Sequence, residues 1–303
     1  MTSRFGVMFL RERPPSELVP FARFVERAGL DELWIVEDCF WAAGPTAVAA
    51  ALASTERLTV GFGIAPAVVR NAAVAAMEMS GIACLFPGRF IAGFGHGVAD
   101  WMRQIGALPP SQLAAFDETV DAIRRLMDGE SVTVHGRHVH LDDVQLVFPP
   151  SPRPPIVAGV TGPKSIDVAT RVADGLLLPE GSSAQYVAAA NRRQGAGREC
   201  VVYVLFAVDD DRNAARARVQ SSVDRFATAG DDSRLALLGD EVGHVGDRIE
   251  RFAVAGTPAD CAAAIDRLVA AGATSVVVVP GALESETQVQ RLVHDVVPLL
   301  TSS

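Results

Sequence analysis

Apolar residues along this chain fall into short β-branched runs, separated by longer stretches in which they recur every three or four positions. The runs are FGVMFL (5–10), ELWIVE (32–37), LTVGFGI (58–64), RFIAGF (89–94), PPIVAGV (154–160), GLLLP (175–179), ECVVYVLFAV (199–208) and SVVVVP (275–280). Runs of this length with few polar interruptions predict strands buried on both faces. The intervening stretches predict helices, one from Ser16, one from about Pro45, and others over 71–85, 111–128, 163–173, 183–193, 211–229 and 258–271. Thr257-Pro258 announces the last of these, an N-cap followed by proline at the first helical position. Strand then helix, repeated from end to end, predicts parallel βα units. Eight of each predict an α/β fold, the (β/α)8 TIM barrel.

Two segments break the alternation. GESVTVHGRHVHLDDVQLVFPP (129–150) holds two period-two runs separated by His135-Gly136-Arg137, which predicts an inserted β-hairpin. The Gly- and Asp-rich segment 230–256 with its LALL core reads as a second insertion. The simplest organisation is a single barrel domain over 1–303 carrying both.

Barrels of this kind place their active sites at the C-terminal ends of the strands, so those ends are where chemistry is sought. The fourth candidate strand runs into RFIAGFGHG (89–97), with glycines at 93, 95 and 97. A dinucleotide fingerprint needs G-x-G-x-x-G after the first strand of its unit. Here Val98 stands where the third glycine is required. In a barrel, glycines at one parity instead let a flat ligand or another backbone approach, or they satisfy packing at a corner. His96, between two of them, is expected to face a ligand beside Gly97.

Strand two ends in Glu37-Asp38-Cys39-Phe40-Trp41. Adjacent carboxylates at one rim oppose double ionisation, which makes Asp38 a candidate general acid. Cys39 and His96 join Asp38 as candidate catalytic residues, Cys39 either a structural rim thiol or a nucleophile, with no histidine partner nearby in sequence. Strand three ends in Gly63-Ile64-Ala65-Pro66, poor in side-chain bulk where a ring can lie. Strand five ends in Val160-Thr161-Gly162-Pro163-Lys164-Ser165, a turn opening a helix. Free N–H groups of the first helical turn and Lys164, the one lysine in the chain, form a candidate phosphate site. Trp101 either walls the pocket or packs under the hairpin. His135, His138 and His140 lack the spacing of a metal site, and no metal is expected.

Composition narrows the partners. Of the 303 residues 49% are hydrophobic and mean hydropathy is +0.24, yet no run reaches the ~18 uncharged apolar residues of a membrane helix. The opening MTSRFGVMFLRERPP, closed by Arg11, Glu12 and Arg13, reads as no signal peptide, and a cytoplasmic protein is expected. A net charge of −9 without a basic cluster argues against nucleic acid and leaves a small molecule as the expected substrate. The four cysteines contain no CxxC pair, against a zinc site or disulfide framework. Cys84, Cys200 and Cys261 lie in apolar periodic stretches and are expected in the core.

Taken together the residues resemble a family, the bacterial luciferase-like oxidoreductases that use flavin or the deazaflavin coenzyme F420. The resemblance runs over nearly the whole chain. It is strongest over 60–97, with Arg70 and the turn Pro87-Gly88-Arg89, and is supported by LMDGESVTVHGRHVHL (126–141), PPIVAGVTGPKS (154–165), VADGLLLP (172–179) and GTPADCAAAIDRLVAAGATSVVV (256–278). It implies a cis peptide at Gly63-Ile64, in a bulge under the cofactor ring that continues into Ala65. It places Asp38 at the ring's reacting edge, and His96 and Gly97 along the pocket. It implies a phosphate loop at Val160, Thr161, Gly162, Pro163 and Lys164. Hydride transfer with F420 is the implied reaction, FMN-dependent oxygenation the alternative, and a homodimer through the second and third helices the implied assembly. The chain departs from the family where Asp-His becomes Asp38-Cys39 and where sugar-phosphate dehydrogenases carry an acid in place of Val98.

Overall fold

A computed structural model of the chain describes residues 3–228, 248–281 and 284–301. Its strands are β1 (Arg4–Phe9), β2 (Glu32–Ile35), β3 (Thr59–Pro66), β4 (Phe90–Gly95), the hairpin β5 (Val132–His135) and β6 (His140–Val144), β7 (Ile156–Gly159), β8 (Gly175–Leu178), β9 (Glu199–Val208), β10 (Ala253–Gly256) and β11 (Ser275–Pro280). Eight of them pair in parallel around a ring, β1-β2-β3-β4-β7-β8-β9-β11, and β11 returns to β1. The predicted TIM barrel is the observed fold.

The helices α1 (Leu18–Ala28), α2 (Gly44–Ala53), α3 (Ala72–Leu85), α4 (Ala99–Gln104), α5 (Gln112–Met127), α6 (Pro163–Val172), α7 (Ala184–Gln194), α8 (Arg212–Thr228), α9 (Arg248–Phe252), α10 (Pro258–Ala270) and α11 (Ser285–Arg291) surround the ring. Alternation along the strands divides two cores. Val7, Phe9, Leu33, Ile35, Phe90, Ala92 and Phe94 face outward to the helices. Met8, Leu10, Trp34, Ile91, Val157, Leu177, Tyr203 and Val277 fill the barrel.

The N-terminal end of the barrel is closed by a polar network. Glu32 is fully buried; it accepts from Arg4, from Trp34 Nε1 at 2.7 Å and from Ser275 Oγ at 2.6 Å. Arg4 also donates to Glu199 at 2.7 Å, and Glu199 accepts from Thr274 Oγ1 at 2.7 Å. Burial opposes the Arg4 charge, and its bonds to the two carboxylates outweigh that and raise its pKa further.

The predicted hairpin is present, with His135 opposite His140. Its turn is fastened by Glu118 of α5, whose carboxylate accepts from the N–H groups of Arg137, His138 and Val139 at 3.1, 2.6 and 3.0 Å. Of the predicted second insertion, 230–247 lies outside the described residues, and the remainder forms α9 and β10. β10 pairs with Leu205–Val208 of β9, beyond the stretch Glu199–Val202 that pairs with β8. The upper half of β9, α8, α9 and β10 share a cluster of their own around Leu205, Ala207, Val219, Val223 and Phe252.

Two expectations need correction. The helix after the eighth barrel strand is α11, followed by further helical turns through Leu299, and it was missed. Cys84 is exposed rather than in the core, because α3 turns that side away from the barrel; Cys200 and Cys261 are buried.

Candidate active site

Past the C-terminal strand ends lies a cavity of about 820 Å³. Its floor is the bulge of β3. Between Phe62 and Ala65 the register with β4 shifts by one residue, and the Gly63–Ile64 peptide is cis. The Cys39–Phe40 peptide is cis as well. Three glycines on the two neighbouring strands β4 and β7 make room for the bulge. A Cβ on Gly93 would strike the Phe62 carbonyl. One on Gly95 would lie 2.9 Å from Ile64 Cδ1, and one on Gly159 2.5 Å from Ile64 Cγ2. Gly95 and Gly159 thus seat the Ile64 side chain, and Gly93 admits the backbone of the bulge. Gly97 serves another need, a turn with φ +71° into α4.

Tyr203 supports the bulge from inside the barrel. Its hydroxyl donates to the Gly63 carbonyl at 3.3 Å, and its ring stands edge-on to Trp34 with centroids 5.6 Å apart. Burial first, then the charges of Glu180, Glu32 and Asp38, push its phenol well above the usual range, so it remains a donor.

The adjacent carboxylates of β2's end part company. Glu37 accepts two bonds from Arg70, at 2.6 and 2.7 Å, and a third from the Gly44 N–H that opens α2 at 2.7 Å. Asp38 lines the cavity and accepts from Arg11 Nη1 at 2.5 Å. Each carboxylate has its own guanidinium, so mutual repulsion is not the governing feature expected of the pair. Arg11 also donates to Glu12 at 3.1 Å and lies 4.5 Å over the Trp41 ring and 5.9 Å from that of Trp101. Its burial disfavours the charge, but Asp38 and Glu12 outweigh burial and keep it cationic. Trp41 and Trp101 meet edge to face at 6.2 Å, which settles Trp101 as part of the cavity wall.

Of the other residues singled out in the sequence, Gly63, Ile64 and Thr161 line the cavity. Ala65 is buried in β3 opposite Phe94, and Val160 is buried just past β7. Gly162 caps α6, Pro163 is its first residue, and Lys164 is exposed on its first turn. The Thr161 carbonyl accepts from Tyr186 Oη at 2.6 Å. His96 turns from the cavity toward α6, with Nε2 3.0 Å from Ser165 Oγ and its ring 5.2 Å from Phe116. Cys39 is half-buried at the rim, and burial, then Glu37 and Asp38, push its thiol pKa up.

Sequence reading missed Arg11, Glu180, Tyr203, Arg218 and Gln288, all in the cavity wall. The signal for Arg11 was its position immediately past the first strand, the same place along its strand that drew attention to Asp38.

A closed parallel barrel whose strand ends converge on one apolar cavity, floored by a bulge and edged by an Arg–Asp pair, defines a TIM-barrel enzyme. The chain belongs to the luciferase-like monooxygenase family, whose model matches residues 1–275. A 5,10-methylenetetrahydromethanopterin reductase of Methanolobus tindarius is 26% identical over 304 residues, 90% of this chain and 93% of that protein. An F420-dependent glucose-6-phosphate dehydrogenase of Kineococcus radiotolerans is 29% identical over 317 residues, 94% of this chain and 93% of that one. The fold superposes on an F420-dependent secondary alcohol dehydrogenase, solved with an F420-acetone adduct, with a TM-score of 0.83 at 19% identity, covering 99% of each chain.

Proposed function

We propose that the protein is an F420-dependent oxidoreductase that moves a hydride between the deazaflavin ring and a small organic substrate. The observation that carries this reading is the platform at Gly63–Ile64. Two glycines, Gly95 and Gly159, are spent on presenting one aliphatic side chain to a cavity, and the cavity has room for a tricyclic ring and a second molecule. The fit extends to the anionic arm of the cofactor. Val160, Thr161, Gly162 and Pro163 form the turn that opens α6, the N–H groups of its first turn have no helical partner, and Lys164 stands among them.

When bound, the cofactor supplies the carbon that gives or takes the hydride. Ile64, with Gly63 and Ala65 behind it, supports the ring. His96 holds the end of β4 against Ser165 on α6, and Gly97 turns the chain behind it into α4. Reduction of a carbonyl or imine would leave its heteroatom in need of one proton, the hydride and its two electrons being what the bound cofactor would supply. Arg11 balances the charge that builds on the heteroatom, and Asp38 orients Arg11 and exchanges protons at the mouth. Cys39, its thiol kept protonated, packs the rim and is not a nucleophile.

Titrating the purified protein with F420 and with FMN, followed by cofactor fluorescence, tests this reading in wild type and Lys164→Ala. Tight F420 binding, weakened about tenfold by the substitution, is expected. Tight FMN binding with none of F420 turns the assignment to the oxygen-using monooxygenases for which the family is named.

We further infer a homodimer across α2 and α3. Val74, Met77 and Leu85 stand exposed along α3 with Phe148 beside them, where Cys84 Sγ lies 3.8 Å from the Phe148 carbonyl. The four cysteines are unpaired, which fits a reducing cytoplasm. No described helix is long and apolar enough to cross a membrane.

A further inference from the structure

The cavity is larger than its floor, and its two sides differ. One lies over Ile64, bounded by Asp38 and Thr161. The other rises along the upper half of β9 and α8, where Leu205, Phe206, Ala207 and Val219 face Val279 and Pro280. These walls are predominantly apolar. The cations within them are committed. Arg218 donates to Asp209 and to Glu284, both at 2.6 Å. Arg11 holds Asp38 and Glu12. Arginines 11, 218 and 225 are outnumbered in the described lining by Glu12, Asp38, Glu180 and Glu284, so the wall carries net negative charge. Lys164 lies outside the cavity lining.

A phosphate dianion entering here meets a repelling field, and to gain a cation it must take Arg11, Arg218 or Arg225 from the partner it already has. An uncharged hydrocarbon body meets surface that is stabilised by being covered. We propose that the substrate is an uncharged, predominantly apolar carbonyl, imine or conjugated alkene compound, and not a phosphorylated sugar. The proposal rests on the reading that the cofactor ring occupies the Ile64 side, leaving the β9–α8 side to the substrate.

The test uses the full chain, with and without F420, and two probes, 2-decanone and glucose 6-phosphate, read by saturation-transfer difference NMR. The ketone is expected to bind saturably with a Kd at least tenfold below that of the sugar phosphate. Val279→Asp is expected to weaken ketone binding about tenfold while the F420 titration stays within twofold. Should Val279→Asp fail to fold, Ser222→Asp, at a half-exposed position on α8, is expected to weaken ketone binding several-fold. Preference for glucose 6-phosphate, equal binding of both probes, binding of neither, or indifference of the ketone to a folded variant overturns the proposal. Ketone binding by a protein that takes up no F420 preserves this inference and defeats the cofactor assignment. F420 binding without ketone binding does the reverse.

Discussion

The same two strands carry an arginine–carboxylate pair at each end, and the two pairs do opposite work. At the start of β1 and β2, Arg4 meets Glu32; just past their ends, Arg11 meets Asp38. Below, every oxygen of Glu32 is engaged by Arg4, Trp34 or Ser275, and the carboxylate is sealed from solvent. Above, Asp38 and Arg11 each keep more than a quarter of the side chain exposed, against a cavity wall of tryptophan. A sealed, saturated carboxylate resists removal even though Arg4 itself is a third exposed, whereas a pair half-open on both sides costs the fold little to lose. The environment, not the residue types, separates a structural plug from a working group.

Glu32→Ala strikes the lower pair and should have the largest effect on stability, about 3 kcal/mol, because Trp34 Nε1 and Ser275 Oγ lose their buried acceptor while Arg4 keeps only Glu199. Urea unfolding measures it, and the folded fraction should bind F420 with unchanged affinity. Gly95→Ala pushes on Ile64 and should cost about 1–3 kcal/mol by overpacking, with F420 bound roughly tenfold more weakly in a fluorescence titration. Arg11→Met strikes the upper pair. Its unfolding free energy should move by less than about 1 kcal/mol, while turnover falls about 10²-fold; equal losses in both would erase the contrast between the two ends.

A smaller effect concerns acid. Asp174, at the start of β8, is buried against its charge, but bonds from Arg153 and the Ile156 N–H outweigh burial and hold its pKa below the usual carboxylate value. A depressed folded pKa gives stability that is fully present above about pH 4 and is lost as pH falls through the folded value. Asp174→Asn should therefore be less stable at pH 6 and lose less on further acidification, as thermal melts across pH 3–6 would register. Smallest is the labelling of Cys84, which should react with a thiol reagent quickly in dilute monomer and slowly at concentrations where the α3 faces meet.

The barrel was legible because strands buried on both faces leave long β-branched runs that nothing else in a soluble chain produces. Gly63-Ile64 was legible through resemblance, and Asp38 and Thr161 through their places at strand ends. Arg11 was not, because a charged residue closing an apolar run looks the same whether it faces solvent or a cavity. His96 was placed correctly on β4's end but given the wrong direction, since the turn at Gly97 sends its ring to Ser165, and no local pattern encodes that rotation. β10 was hidden inside a Gly- and Asp-rich stretch because a four-residue strand on the outer edge of β9 has no periodicity to show.

The ten residues of β9 divide their duties along the strand. Glu199–Val202 closes the ring with β8, and Leu205–Val208 holds β10. The end of β9 beyond its pairing with β8 thus serves both β11 and the added strand β10. A change confined to β10 therefore alters one wall of the cavity's surroundings while the bonds that close the ring with β8 stay in place.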